Sequence, residues 1–316
     1  GISVPTPEQA RATVRELADQ GVNFIKVYEM TSPEVFAALV EAAEERDLPI
    51  DSHVPLSMRA SEAGPYVDSI EHLRNIEMDC ADNAAELHET RRELLKNPKG
   101  LPGAELRASL HSLQRMPAVK AYDEEACDQT LATLKSTMQV PTLRMNAFNL
   151  APPFDRDDWQ DALSRVPSYI REEWQASALE IAENPVQEYT DFGEWSLFLT
   201  QRMHSQGIPI GAGTDTPLLM SVPGYSLHAE LEYLVRAGLS PSEALKSATV
   251  RPAEYFSLQD EMGTIDVGKK ADFVLLVANP LDNIANTRKI SGVVSKGRFY
   301  SAESLRSLLH EFHQDP

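Results

Sequence analysis

The sequence predicts an α/β protein built around a parallel sheet or barrel. Short strand candidates rich in β-branched residues alternate with amphipathic helices about every 20–30 residues, which is typical of parallel strands joined by crossover helices. Helix start signals separate the segments, as at Thr6-Pro7-Glu8-Gln9, where a capping threonine precedes a proline in the first turn. With 316 residues, 42% of them hydrophobic, the chain is long enough for one large domain and a smaller one.

The elements follow in order along the first 72 residues. They are a helix that runs from the capping box to Gly21, a strand at 23–28, a helix that begins after Ser32, a strand at 48–53, a short helix from Ser61 and a strand at 67–72. Each strand is short, and the helix after Ser32 carries an apolar stripe on one face. This part of the chain therefore predicts strand–helix units that repeat directly.

Two segments interrupt the alternation. Residues 75–135 are mostly charged and helix-forming, and residues 148–190 are rich in tryptophan, proline and acid, so both are predicted to be insertions. The other predicted elements are a strand at 136–143, a helix ending at His204, a strand at 208–215, helices at 227–236 and 243–256, β segments at 263–265, 271–277 and 292–297, and a helix at 302–313. We therefore predict a barrel domain at 1–258 and a β appendage with a terminal helix at 259–316.

The composition excludes some classes of partner. The formal net charge is −19, and so acidic a surface repels phosphate backbones and anionic lipids, which argues against nucleic acid as a partner. No stretch approaches the roughly 18 consecutive apolar residues of a membrane span. Cys80 and Cys127 lie far apart and form no Cys-x-x-Cys motif, so we expect free thiols rather than a disulfide framework or a zinc ribbon.

Four side chains that could hold a metal ion stand at the ends of predicted strands. Lys26, His53, His72 and Asp215 each lie at the carboxyl end of a strand, where a barrel of this kind has its active site. Two imidazoles and a carboxylate are ordinary zinc ligands, and the carboxylate can also carry a proton. Taken singly, however, a histidine at a strand end is more often a hydrogen-bonded structural residue than a ligand.

Lys26 differs from the other three because an ammonium group repels a metal ion. A functional lysine at this position would have to lose its proton or be converted to a carbamate, whose two oxygens can bridge two ions. The alternative is a surface lysine whose stem lies along apolar neighbours.

Several of these segments resemble strands of a known superfamily. They are similar to strands four, five, six and eight of the amidohydrolases, and the matching residues are 24–28 (FIKVY), 53–55 (HVP), 69–73 (SIEHL) and 211–215 (GAGTD). Residues 263–274 (GTIDVGKKADFV) resemble the C-terminal signature, which returns the chain into a small β-sandwich. The most similar group is the imidazolonepropionase-like and Xaa-Pro dipeptidase (prolidase-like) enzymes.

The resemblance implies a distorted TIM (β/α)8 barrel, with strands four to eight in this chain and a small β-sandwich appendage at its C-terminus. It also implies one or two divalent ions, usually zinc, with Lys26 as a carbamylated bridging ligand and His53 and His72 as ligands of the second ion. Asp215 would be a ligand of the first ion and the proton shuttle. The implied reaction is hydrolysis, in which a metal-activated water attacks an amide carbonyl.

The sequence departs from the superfamily pattern at one point. The first strand of the superfamily carries His-x-His, which is absent from these 316 residues. We therefore expect strands one to three in a missing N-terminal segment, in the same or a separate chain, and the alternative is a degenerate member. Because a signal peptide would lie in that segment, the sequence leaves a cytoplasmic or a periplasmic or secreted location open. Open barrel edges favour a homo-oligomer.

Three further residues are candidates for contacts to the substrate or to a metal ligand. Tyr28 shares a face with Lys26, and we weigh contact with the substrate carbonyl equally against a core position. For Arg74 we favour a solvated charge over a pair with a substrate carboxylate. For His228 we favour helix packing over a role in orienting a ligand.

The remaining aromatic and histidine residues receive simpler interpretations. Five histidines in charged or terminal stretches are predicted to lie on the surface: His88, His111, His204, His310 and His313. The second insertion, which contains Trp159, Trp174, Phe154 and Tyr169, has the aromatic content of a lid or an interface.

Three functions follow from these observations. The first is a metal-dependent, dipeptidase-like hydrolase of amide or peptide bonds, with zinc as cofactor and a small molecule or dipeptide as substrate. The second is a hydrolase of esters, lactones or cyclic amidines with the same site, because a fold does not fix its substrate. The third is a non-catalytic barrel fragment or subunit that needs a partner chain.

Overall fold

The structure is a computed structural model that describes residues 1–312, with side chains described up to residue 309. The helices are α1 Pro7–Asp19, α2 Pro33–Glu44, α3 Ala60–Ala63, α4 Ile76–Asp79, α5 Ala84–Lys96, α6 Gly103–Lys120, α7 Glu124–Thr133, α8 Leu143–Asn146, α9 Trp159–Leu163, α10 Ser168–Glu183, α11 Gln187–Ser205, α12 Tyr225–Arg236, α13 Pro241–Ser247, α14 Val250–Tyr255 and α15 Ala302–Phe312. The strands are β1 Ile25–Val27, β2 Ile50–Ser52, β3 Ser69–Glu71, β4 Met138–Val140, β5 Phe273–Leu276, β6 Ile290–Ser295 and β7 Arg298–Ser301.

The chain divides into two compact units. The first unit comprises Gly1–Pro141 and Met203–Ile210, and the second comprises Thr142–Arg202 and Gly211–Pro316. The predicted domain boundary after residue 258 stays a prediction.

A four-stranded parallel sheet lies in the first unit. Its strand order is β1-β2-β3-β4, and the register pairs Lys26 with Asp51 and Asp51 with Ser69. Helices α2, α3 and the insertion helices supply the connections between successive strands, as parallel pairing requires. The strand predicted at 208–215 contributes one parallel bridge, between Gln139 and Ile210. The parallel α/β sheet is therefore confirmed, whereas a closed barrel stays a prediction.

Local sequence signals explain why the first strand–helix unit forms. In β1 the buried Ile25 and Val27 alternate with the exposed Lys26, which is the period-two pattern of a strand with one buried face. Ser32 then caps α2, because its hydroxyl accepts a hydrogen bond from the Val35 backbone N–H at 3.3 Å. The short segment that follows the carboxyl end of β1 is therefore fixed by the strand on one side and by the capped start of α2 on the other.

The first insertion forms α4–α7 and contains a disulfide bond between Cys80 and Cys127. The expectation of free thiols is therefore wrong. The Asp123 backbone N–H donates to the Cys80 carbonyl at 2.8 Å, and Ala81 pairs with Tyr122 in an antiparallel bridge. These contacts bring the end of α4 to the start of α7, where the two cysteine Cα atoms are 4.0 Å apart.

The second insertion builds a core of its own in the second unit. The Trp159 and Trp174 rings stack with centroids 6.4 Å apart, and both residues are buried. Phe148, Leu163 and Tyr225 belong to the same apolar cluster. The tryptophans therefore stabilise this unit internally, and a lid or interface role for the segment stays a prediction.

The C-terminal region forms a small antiparallel sheet in the order β5-β6-β7. The predicted β segments at 271–277 and 292–297 are confirmed, but 263–265 forms no strand and β7 was not predicted. A β-sandwich stays a prediction. The terminal helix is present as α15, while residue 313 lies outside the described residues. No described helix is both long and apolar enough to cross a membrane.

Candidate metal centre

Two histidines lie side by side where neighbouring parallel strands end. His53 follows β2 and His72 follows β3, and their backbone N–H groups donate to the carbonyls of Val27 at 3.1 Å and Val140 at 2.8 Å. These bonds continue the sheet ladder by one residue and fix both backbones. The imidazole centroids are 4.9 Å apart at an interplanar angle of 83°. The structure thus brings together two of the predicted ligands.

Both imidazoles are buried and neutral. Burial, together with the nearby positive charges of Lys26 and Arg74, lowers the pKa of His53 to about 2 and that of His72 to about 3. Nδ1 of His53 is a buried atom that has no hydrogen-bond partner within the described part of the chain. Because a metal ion binds the neutral imidazole through a free ring nitrogen, both observations are compatible with a ligand role.

The Lys26 side chain is paired with a carboxylate. Its Nζ forms an ion pair with Glu71 at the end of β3, and the side chain is 33% exposed. Glu71 also accepts a hydrogen bond from the Ser69 hydroxyl at 2.5 Å. Lys26 therefore lies near the histidines, with its Nζ paired to Glu71, and its role as a ligand stays a prediction.

Glu29 is a buried acid beside this centre that the sequence reasoning missed. Its fully buried carboxylate lies 3.1 Å from Arg107, 3.2 Å from His111 Nε2 and 3.7 Å from His53 Nδ1. Burial opposes ionisation, but the hydrogen bond from His111 and the surrounding charges, including that of Arg74, hold the pKa of Glu29 well below its ordinary value. The sequence signal available was only its position, three residues after Lys26.

Two predictions about surface charges are wrong because the insertion helices cover these residues. The Arg74 side chain is 17% exposed, with Nε 3.6 Å from Glu29, so Arg74 is not a solvated charge. His88 is buried and pairs with Asp79 at 2.6 Å, and His111 is buried against Glu29. His204 is half-buried, whereas the side chains of His310 and His313 lie outside the described residues.

The two other substrate-contact candidates belong to different units. Tyr28 is 57% exposed, and its ring lies over that of His53 with centroids 4.6 Å apart, so it is not a core aromatic. His228 packs in the second unit, where Nδ1 lies 2.9 Å from the Thr287 hydroxyl. Burial, with the charge of Arg288, lowers the pKa of His228 to about 4.

Asp215 belongs to the second unit, whereas Lys26, His53 and His72 belong to the first. It is exposed and has a positive φ of 50°. Its carbonyl accepts a hydrogen bond from the Leu218 backbone N–H at 3.0 Å, which closes a tight turn. The carboxylate is therefore presented on a short loop that follows the Gly211–Thr214 segment.

Comparison with known proteins identifies the family. The sequence profile of the Amidohydrolase family matches residues 199–300, which include Asp215. The 5'-deoxyadenosine deaminase of Methanobrevibacter smithii is 33% identical over 109 residues, which are 32% of this chain and 24% of that protein. A bottromycin amidohydrolase structure is similar over 100% of this chain and 64% of its own, with a TM-score of 0.70 and 25% identity. These matches support the assignment of the chain to the amidohydrolase superfamily.

The predicted superfamily is thus confirmed, and other amidohydrolase structures share the fold. An Xaa-Pro dipeptidase with methionine bound in its active site aligns over 95% of this chain and 59% of its own, with a TM-score of 0.58 and 20% identity. The chain therefore spans less than two thirds of the length of either solved structure.

The residues of this chain fit part of a metal site. In the part of the chain that the structure describes, no group of three or more His, Cys, Asp or Glu side chains could hold a metal ion. The neutral pair His53 and His72, with the buried unpartnered Nδ1 of His53, nevertheless fits two of the ligand positions that zinc occupies in catalytic sites. Lys26 could act as a further metal ligand only as a carbamate, because an ammonium group repels a metal ion.

Proposed function

We propose that this protein is a metal-dependent hydrolase of C–N bonds that cleaves amide or peptide bonds in small, dipeptide-like substrates. The observation that carries the proposal is the pair His53 and His72, neutral, buried and adjacent at the carboxyl ends of parallel strands. Membership of the amidohydrolase superfamily supports hydrolysis as the reaction class. The fold shared with an Xaa-Pro dipeptidase supports a peptide-like substrate.

In this proposal His53 and His72 hold a zinc ion, to which imidazole is an ordinary ligand. When bound, the ion supplies polarisation of the scissile carbonyl and a water of lowered pKa. Asp215 accepts the proton of the attacking water and returns it to the leaving amine, as a general base and then a general acid. The C–N bond breaks as that proton arrives, and an acid and an amine leave.

Three other side chains receive proposed roles in this reaction. Tyr28, which is exposed over the His53 ring, is proposed to donate a hydrogen bond from its phenol to the substrate carbonyl. The Arg74 guanidinium binds the substrate carboxylate. The Nε atom of Arg74 lies 3.6 Å from the Glu29 carboxylate, which positions the guanidinium. Lys26 would hold the metal in its carbamate form, which forms from the neutral amine and carbon dioxide with loss of a proton and requires release of Glu71.

The proposal also includes the partners of the chain. We propose that the remaining ligands, including a His-x-His pair, come from a complementing segment, because the solved relatives are longer than this chain. We further propose a homo-oligomer, since apolar side chains such as Val274 and Phe299 are about half exposed on the C-terminal sheet.

The test combines metal analysis with a substrate panel. The protein is purified, its intact mass is measured, and zinc is quantified by elemental analysis before and after incubation with zinc sulfate. Turnover is then measured on Xaa-Pro dipeptides, N-acetyl amino acids, p-nitrophenyl esters and lactones. We expect about one or two zinc ions per chain and turnover of amides in preference to esters and lactones.

Variants assign the roles. H53N and H72N should lose zinc and activity, whereas H204N, at a half-buried histidine of α11, should retain both. D215N should keep the zinc held by the two histidines and lose about 100-fold or more in kcat. A zinc-loaded wild type without turnover, although the mass measurement shows the complementing segment in the preparation, would overturn the proposal and favour the non-catalytic subunit. Turnover of esters or lactones alone would favour the second hypothesis.

A further inference from the structure

The loop that carries Asp215 has an unusual backbone. Asp215, Leu219 and Met220 have positive φ angles of 50°, 45° and 57°, respectively. Residues with a Cβ atom enter this region at a cost in free energy, so a loop with three of them persists only when its surroundings determine its shape. The exposed residues 215–219 offer little apolar burial of their own to do so.

Arg144 supplies the required contacts from α8. Its Nη1 donates to the carbonyls of Thr214 at 3.1 Å and Leu218 at 2.7 Å, and its Nη2 donates to that of Leu219 at 2.5 Å. These carbonyls lie on both sides of Asp215. Because the guanidinium is planar and its donors have fixed directions, three such bonds define the relative positions of the three carbonyls.

Glu230 in turn fixes Arg144. Its fully buried carboxylate accepts hydrogen bonds from the backbone N–H of Leu143 at 3.0 Å and of Arg144 at 2.7 Å. Glu230 lies on α12, so the bonds tie the start of α8 to a longer helix of the same unit. Arg144 is itself only 5% exposed. The chain of contacts therefore runs from α12 through Glu230 and Arg144 to the Asp215 loop.

We propose that Arg144 and Glu230 are a positioning pair that holds Asp215 in place for proton transfer. This inference rests on the proposed function, because it assumes that Asp215 carries the proton. Neither residue has to touch the substrate. Arg144 acts through the backbone of residues 214–219, and Glu230 acts through the backbone of Arg144.

The first experiment compares R144K with a matched control, R171K. Arg171, in the same unit, donates to the carbonyls of Ser164 and Val166 at 3.2 and 3.3 Å, in a segment without a proposed site residue. Lysine keeps the charge but cannot bond three divergent carbonyls at once. We expect R144K to lower kcat about 10- to 100-fold with KM nearly unchanged, because small displacements of a reacting group have effects of this size. R171K should change kcat by less than about twofold.

A second readout does not depend on activity. Hydrogen exchange of peptides that cover residues 212–222 should become about tenfold or more faster in R144K and E230Q, while peptides from α10 should not change. E230Q removes one of two acceptor oxygens, and the double variant should lose little more than R144K alone, because the pair acts as a unit. Equal exchange in R144K and wild type, or equal losses of kcat in R144K and R171K, would overturn the inference.

The failure of the proposed function would look different. If the wild type were inactive, or D215N were fully active, the role of Asp215 and the catalytic role of the pair would both be refuted. If D215N were inactive and R144K fully active, with loop exchange unchanged, the proposed function would survive and only the positioning role would be refuted.

Discussion

Replacement of Glu230 by glutamine tests whether burial, rather than hydrogen bonding, determines how the Glu230 carboxyl group affects the pH dependence of stability. Burial raises the pKa of Glu230 from 4.5 to about 7, although the backbone N–H groups of Arg144 and Leu143 and the Arg144 charge oppose the shift. A carboxyl group whose folded pKa is raised favours folding most in its protonated form. Its contribution is therefore fully present below about pH 4.5 and is lost as the pH rises through 7.

The size of the effect follows from the two pKa values. Titration between a pKa of 4.5 in the unfolded chain and about 7 in the folded one corresponds to about 3 kcal/mol of unfolding free energy. Glutamine does not titrate. The stability of the wild type relative to E230Q should therefore fall by about 3 kcal/mol between pH 4.5 and pH 8, while any constant cost of the substitution cancels from this difference.

Urea unfolding of both proteins at several pH values measures the difference. E232Q, on the same helix, is the matched variant, because Glu232 is partly exposed and paired with Arg156 and Arg288. It shows whether loss of any α12 carboxylate produces the same trend. A stability difference between the wild type and E230Q that is flat or increases with pH would refute the reasoning, since the hydrogen bonds to Glu230 would then outweigh its desolvation.

Two further predictions concern the stability of each unit. Replacing both Cys80 and Cys127 by alanine should lower the unfolding free energy by about 4 kcal/mol, since the bond closes a loop of 47 residues; equal urea midpoints for the oxidised wild type and the variant would contradict this. W174A should cost about 3–5 kcal/mol, because Trp174 is buried in the aromatic cluster, whereas Y169A, at a 69% exposed residue of the same helix, should cost about 0.5 kcal/mol or less. Similar losses in the two variants would show that the cluster is loosely packed.

The parts of the fold that the sequence predicts well are those encoded by neighbouring residues. Helix starts at Thr6 and Ser32 appear with the expected capping bonds, because a cap depends on residues only three positions apart. The parallel strands were also predicted near their observed positions, since their apolar residues alternate over a short window. His53 and His72 were found as strand-end residues for the same reason.

The strand predicted at 208–215 shows the limit of this reasoning. Residues 208–210 pair with β4: Ile210 forms a parallel bridge with Gln139, and the Pro209 carbonyl accepts a hydrogen bond from the Gln139 N–H at 2.8 Å. Beyond Ile210 the glycines at 211 and 213 carry no side chain to pack against a neighbour, which weakens a strand. Propensity alone therefore overestimated the length of this element.

The environment of Glu29 depends on contacts that no local pattern contains. Its partners Arg107 and His111 are 78 and 82 residues further along the chain. They reach Glu29 only because α6 of the insertion returns to the end of β1. The same return buries His111 and leaves Arg74 only partly exposed, although the sequence surroundings of both are those of surface residues. Burial of charge is thus decided by tertiary packing and was assigned wrongly from composition.

In the proposed function, Lys26 has two mutually exclusive chemical states. As an ammonium it attracts Glu71 and repels a divalent ion near His53 and His72. As a carbamate it would carry a negative charge, so that its interaction with Glu71 would become repulsive and its interaction with the ion attractive. The ion pair with Glu71 therefore competes with carbamate formation, and metal binding favours the carbamate. Binding free energies are reciprocal. A change that tightens metal binding would therefore also favour the carbamate, and a change that strengthens the Lys26–Glu71 ion pair would weaken metal binding.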